Sequence, residues 1–284
     1  MSEPAKPAAA AGAIALGDLT VNRMGFGAMR VTGPGIWGDP PDRPAARRLL
    51  ERAFALGHNF LDTADSYGPE VSENIIAEAL HPYPRELVIG TKGGLVRPAA
   101  HRWDRCGRPD HLRRAVDGSL KRLRLERIDL YQFHAPDPEV PFADSIGTLA
   151  ELQRAGKIRH LGVSNVSVPQ LEQARRLAAV VSVQNEYNIG NRSSDPVLAA
   201  CERAGIAFIP WFPLGAGSAL GSARVKRVAA RLRATQAQVA IAWLLSRSPV
   251  MLPIPGTGSI AHLEENAAAG TLRLSPEDLA VLDR

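Results

Sequence analysis

The chain has 284 residues, 45% hydrophobic and 22% charged, with a net charge of +5 and two cysteines. These values argue against a disordered chain, a disulfide-stapled secreted domain and a nucleic-acid binder held by a strong positive field. No apolar run approaches the roughly 20 residues of a membrane span. The expectation is therefore one soluble, cytoplasmic protein with free thiols, a small-molecule partner, and no nucleic acid or membrane partner.

The Ala/Pro-rich start lacks the basic-then-apolar pattern of a secretory signal and reads as a disordered lead over residues 1–12. Residues 13–284 read as a single domain. AIALGDLTVNR (13–23) predicts a hairpin turning at Gly17 and Asp18. Short apolar runs at 23–29, 58–61, 87–91, 128–133, 158–163, 180–183, 206–209 and 250–254 predict eight strands. Helical periodicity lies between them at 43–56, 71–80, 109–123, 142–155, 168–177, 195–204, 223–233 and 236–246, with a last helix at 276–282. Such alternation demands a parallel sheet with right-handed crossovers, and eight units close into an α/β (β/α)8 TIM barrel behind an N-terminal β-hairpin.

The segment GPGIWG (33–38) matches the dinucleotide fingerprint in letters, follows a strand, and precedes Asp62 at a suitable distance. That motif requires its glycines to run straight into a helix whose N-terminus receives the pyrophosphate. Asp39, Pro40, Pro41 and Asp42 intervene, so the helix is expected to begin only after Asp42 as N-cap. The segment reads better as a rim loop carrying Trp37 as a substrate contact. Short rim loops imply an open pocket.

Three strand-like runs finish in groups that no apolar core needs: Asp62 and Tyr67 in NFLDTADSYG, Lys92 in LVIGTKGG, and His134 in IDLYQFHAPD. In a parallel barrel all four meet at the carboxyl rim, where such folds place their chemistry. A phenol with a pKa near 10 is a weak acid at neutral pH. An ammonium about 4 Å away, at an effective dielectric of about 20, favours the phenolate by about 4 kcal/mol, or about three pKa units. On that reasoning Lys92 brings Tyr67 towards the working pH, Asp62 holds Lys92, and His134 donates to a carbonyl oxygen. The cluster can protonate a nascent alkoxide but needs a hydride donor, and no metal-ligand cluster offers another route.

These residues, in this order and context, resemble the catalytic tetrad of the aldo-keto reductase superfamily, and the likeness runs from residue 14 to the end. GVSN (162–165) and VQNEYN (183–188) resemble the segments whose Ser, Asn and Gln hold the nicotinamide carboxamide, here Ser164, Asn165 and Gln184. IPWFPLG (209–215) resembles the segment whose aromatic ring stacks on the nicotinamide. Trp211 stands where tyrosine is usual, and the resemblance adds Phe212, Leu214, Gly215 and Met29 as cofactor-binding residues. IPGTGS (254–259) resembles the adenosine-phosphate pocket, formed by Gly256, Thr257, Ser259 and His262, with Glu265 and Asn266 for the adenine. Better-known members carry lysine and arginine where this chain has Gly256 and His262. The resemblance implies an NADP-dependent reductase of aldehydes and ketones, with NADPH preferred and NADH possible, and monomeric or weakly oligomeric. The segment 29–38 is most similar to compact bacterial members, including pyridoxal reductases, and implies a substrate rim of Trp37, Trp103 and Phe212. Alternatives within the same resemblance are a regulatory subunit of the potassium-channel β type and an alcohol dehydrogenase working in the oxidative direction.

Overall fold

A computed structural model describes residues 6–284. The hairpin comes first, as expected: β1 (Ala13–Leu16) pairs antiparallel with β2 (Leu19–Asn22). There follow β3 (Phe26–Gly27), α1 (Arg43–Ala55), β4 (Phe60–Asp62), α2 (Val71–Leu80) and β5 (Val88–Gly93). A second hairpin, β6 (Leu95–Ala99) with β7 (Arg102–Arg105), then precedes α3 (Pro109–Leu123), β8 (Ile128–Phe133), α4 (Phe142–Arg154) and β9 (Ile158–Ser164). The chain ends with α5 (Val168–Leu177), β10 (Val180–Glu186), α6 (Asp195–Ala204), β11 (Ala207–Trp211), α7 (Ala223–Leu232), α8 (Gln236–Arg247), α9 (Ile260–Ala268) and α10 (Pro276–Leu282).

Seven strands form one all-parallel sheet in the order β11-β10-β9-β8-β5-β4-β3. The expected eighth strand, 250–254, reduces to a single bridge between Met251 and Phe208. Pro253 and Pro255 have no N–H to give a ladder. Backbone bonds still close the ring: Leu252 N–H donates to the Phe208 carbonyl at 2.8 Å, and Gly25 N–H donates to the Pro253 carbonyl at 3.0 Å. The sheet is therefore a curled barrel with one irregular stave.

Strand alternation decides what fills it. Phe60, Val88, Leu130, Ala207, Ile209, Leu252 and Ile254 point inward and pack on Leu16 and Val21 of the first hairpin, which plugs the amino end of the barrel. Two residues further along β4 and four further along β5, on the same faces, stand Asp62 and Lys92, while Gln132 follows Leu130 by two on β8. The barrel interior thus changes from apolar to polar towards its carboxyl rim. The outward faces pack against the helices in two larger apolar layers. Caps fix where the helices start: Asp42 accepts from Ala45 N–H at 2.8 Å, so α1 does begin after Asp42, and Ser259 accepts from His262 N–H ahead of α9.

Two sequence expectations change. Of the expected disordered lead, residues 1–5 lie outside the described residues, but Pro7–Ala11 form a 3-10 helix with Ala8 fully buried. Ala8 N–H donates to the Leu56 carbonyl at 3.1 Å, so the body of the protein orders this stretch despite its composition. The β6–β7 hairpin was not expected at all, since RPAAHRWDR carries no alternation; its order comes from contacts made across the rim.

His58, just before β4, is fully buried, with Nδ1 3.1 Å from the Met24 carbonyl and Nε2 unpartnered. Burial pushes its pKa down to about 4, against the opposing pull of the Met24 and Gly25 carbonyls. The folded state thus favours the neutral ring, and its stabilisation, full above the unfolded pKa of about 6.5, is lost as pH falls towards 4. The wild type should lose about 2 kcal/mol between pH 7 and pH 5 through this group. Urea melts of His58→Asn should lack that part of the slope; parallel curves for variant and wild type would refute the assignment.

Candidate active site

Lys92, near the end of β5, is fully buried, and its ammonium has three partners. It donates to Asp62 Oδ1 at 2.7 Å, to the Thr63 carbonyl at 2.8 Å and to Tyr67 Oη at 3.3 Å. Burial alone would lower its pKa, but Asp62 and then Tyr67 more than offset that, so the amine is held charged. Asp62 Oδ2 in turn accepts from Gln184 Nε2 at 2.8 Å and from Gln132 Nε2 at 3.2 Å. Every oxygen of the buried carboxylate is therefore satisfied, as burial of a charge requires.

Tyr67 sits in the turn between β4 and α2, its ring edge-on to His134 with centroids 6.0 Å apart. Gly68 follows with φ of +107°, and a Cβ there would meet Val71 at 2.3 Å, so only glycine allows this turn. Burial raises the Tyr67 pKa above the ordinary phenol value; Lys92 pulls it down, and Asp62 opposes. This corrects the expectation of a net fall. The ammonium is already shared with a carboxylate, and the loss of hydration around the phenolate outweighs what remains of its attraction. His134 is lowered well below the usual imidazole range, by burial first and by Lys92 second, and is neutral. Ser66 Oγ lies 3.5 Å from its Nδ1.

Asp62, Tyr67 and His134 open onto a cavity of about 400 Å³, with Lys92 behind them, lined also by Met29, Trp103, Ser164, Asn165, Gln184, Trp211, Phe212, Leu214 and Gly256. Hydrogen-bond commitments orient its amide groups. Asn165, in the left-handed region at φ of +58°, uses its amide nitrogen on the His134 carbonyl (2.9 Å) and on Ser164 Oγ (3.1 Å). Its Oδ1 accepts from Trp211 Nε1 at 3.0 Å. Because Ser164 Oγ already accepts, its own proton is left to give. Because the Gln184 nitrogen is committed to Asp62, its carbonyl oxygen is what it can offer. One hydroxyl donor beside two amide carbonyl acceptors complements a carboxamide, which has one acceptor and two N–H donors. The residues present thus fit a nicotinamide, with Trp211 as the aromatic wall.

Some expected site residues stand elsewhere. Trp37 is not on the cavity wall; its neighbour Ile36 is, while the Trp37 ring faces Arg97. Gly215, Thr257, Ser259, His262, Glu265 and Asn266 lie outside the cavity lining, along the stretch from Gly256 into α9 and, for Gly215, after β11. Asn266 is buried in α9, and Thr257 Oγ1 accepts from Ser259 N–H at 3.1 Å. Gln132 of β8 was missed; only its bond to Asp62, far along the chain, marks it. Arg30 and Leu95 also line the cavity.

A buried acid–amine–phenol cluster beside a neutral imidazole, at the carboxyl rim of a parallel barrel and under carboxamide-complementary groups, defines an oxidoreductase that uses a nicotinamide. The chain belongs to the Aldo/keto reductase family, whose sequence model matches residues 23–284. It is 50% identical over 277 residues to an uncharacterised oxidoreductase of Schizosaccharomyces pombe, covering 97% of this chain and 90% of the relative. It is 46% identical over 275 residues to pyridoxine 4-dehydrogenase of Escherichia coli, covering 94% and 96%. The fold is similar to that of an aldo-keto reductase from Klebsiella pneumoniae solved in complex with NADPH. The TM-score is 0.79 at 25% identity, covering 93% of this chain and 90% of that one. No helix among the described residues is long and apolar enough to cross a membrane.

Proposed function

We propose that this protein is an NADPH-preferring reductase of aldehydes and ketones, with Tyr67 as the proton donor and pyridoxal among its substrates. The observation that carries the reading is the placement of Lys92 Nζ between Asp62 and Tyr67 Oη. Ser164, Asn165, Gln184 and Trp211 would hold a nicotinamide against this site, and the cofactor, when bound, would supply the hydride that carbonyl reduction needs. Tyr67 Oη gives its proton to the carbonyl oxygen as negative charge develops there. A phenol with a raised pKa remains a far stronger acid than an aliphatic alcohol, so the transfer runs downhill, and Lys92 stabilises the phenolate left behind. Neutral His134 has one ring N–H, which it can donate to the carbonyl oxygen. The aromatic surface of Trp103 and Phe212 suits a flat ring, in agreement with the 46% identity to pyridoxine 4-dehydrogenase.

Thr257, Ser259 and His262 at the start of α9 are the groups available for a 2′-phosphate. Hydrogen bonds to such a phosphate favour NADPH over NADH by about tenfold or more in kcat/KM. Consumption of the reduced cofactor should be followed by its absorbance over a panel of aldehydes and ketones with pyridoxal included, with both cofactors in parallel. Turnover of pyridoxal and of simple aromatic aldehydes with NADPH is expected. Better kinetics with NADH would overturn the cofactor preference, and no turnover of any carbonyl would overturn the reading as a whole.

A further inference from the structure

Arg97 lies in β6, away from the tetrad, and is buried to 7% exposure without lining the cavity. Its guanidinium plane meets Trp103 of β7, with Cζ 3.7 Å from the ring centroid, and stands 5.4 Å from the ring of Trp37. Its Nη1 donates to the Ile36 carbonyl at 3.0 Å, and its Nη2 donates to the Gly35 carbonyl at 3.3 Å and to the Ala100 carbonyl. One cation thus joins two separate pieces of the rim: the segment around Gly33–Gly38 and the β6–β7 hairpin. Among the described residues no carboxylate pairs with it; backbone carbonyls and indole faces take its charge.

Both pieces reach the proton donor. Trp37 bridges Gly68, and Gly38 N–H donates to the Gly68 carbonyl at 2.5 Å, so the first piece is stitched to the residue after Tyr67. The second brings Trp103 edge-on to the Tyr67 ring with centroids 6.4 Å apart. Trp103 is otherwise 38% exposed on an eleven-residue excursion from Leu95 to Arg105, whose own pairing shifts register between Val96 and Ala99. Without the clasp, nothing described on its Arg97 side would keep that indole at one angle.

We infer that Arg97 is a specificity-determining positioning residue, which holds Trp103 as a fixed wall over Tyr67 and so favours flat aromatic carbonyls over small aliphatic ones. The inference rests on the reductase reading above and narrows it to a substrate class. A wall held in one orientation gives a planar ring its stacking surface without an ordering cost on binding, whereas a two- or three-carbon aldehyde is too small to use it.

The test compares Arg97→Met, Arg97→Lys and Trp103→Leu on pyridine-4-carboxaldehyde and on propanal, with NADPH binding followed by quenching of tryptophan fluorescence. In Arg97→Met the kcat/KM for the aromatic aldehyde should fall about tenfold, mostly through KM, and that for propanal by less than about twofold. Arg97→Lys, which keeps the charge but loses the planar fork, should recover only part of the loss. Arg97→Met combined with Trp103→Leu should be little worse on the aromatic aldehyde than Trp103→Leu alone, because both remove the same wall. Equal losses on both aldehydes, additive effects in the double variant, or full recovery by lysine would each overturn the inference. Should Arg97→Met fail to fold, the lysine variant and Trp103→Leu still decide: aromatic selectivity unchanged in both would overturn it. Wild-type protein inert towards both aldehydes would instead sink the reductase reading itself.

Discussion

Tyr67→Phe should lower carbonyl reduction by about 10²- to 10⁴-fold, the share that a positioned general acid contributes. The variant removes one oxygen, and Lys92 retains Asp62 at 2.7 Å and the Thr63 carbonyl at 2.8 Å. The stability change should therefore stay within about 1 kcal/mol, and cofactor affinity should be nearly unaltered, since the proposed carboxamide partners lie elsewhere, at β9, β10 and β11. The wild-type pH profile serves as the companion measurement. Because burial holds the Tyr67 proton on above the ordinary phenol range, reduction should be nearly flat between about pH 6 and 9. Oxidation of the alcohol needs the phenolate and should rise with pH over the same interval. Near-normal turnover in the phenylalanine variant, or reduction that falls away through neutral pH, would remove Tyr67 from the role of acid.

Lys92→Met should be the most damaging of these substitutions for stability and should cost activity as well. It leaves Asp62 Oδ1 without its donor in a site where the lysine side chain is fully buried and that of Asp62 nearly so. Breaking a buried pair by removing one partner costs about 3–5 kcal/mol. It also takes away the cation that stabilises the phenolate, so reduction should fall by at least about 10²-fold. The combined variant Lys92→Met with Asp62→Asn should regain most of the stability, because no unpaired charge remains, and none of the activity. Urea denaturation and turnover measured on the same samples separate the two effects. A double variant no more stable than the single one would show that the Asp62 charge is not the source of the loss.

The sequence was most legible where local chemistry alone decides. A helix start was marked by a side chain that caps its own backbone at Asp42, and α2, α3, α5, α6 and α10 run between the residues that periodicity indicated. Asp62, Lys92 and His134 could be found because a charged or imidazole group ending an apolar run breaks the strand pattern. Residues defined by a partner far along the chain were not legible. Gln132 is unremarkable until Asp62, 70 residues away, is placed opposite it. Arg97 looked like any surface arginine in a polar stretch, and Trp37 like a substrate contact, until the rim folded and set one against the other.

The sequence by itself determined the strand–helix order, the helix caps and the order of the four reactive side chains, because periodicity and capping act over a few residues. Only the tertiary structure decided how hydrogen bonds orient the amides of Asn165 and Gln184, how the barrel closes across its two prolines, and which way the Tyr67 pKa moves. That last outcome balances the loss of hydration against attraction to a cation already shared with Asp62. Both quantities depend on burial and on distances between distant parts of the chain, which come into being only when the barrel closes.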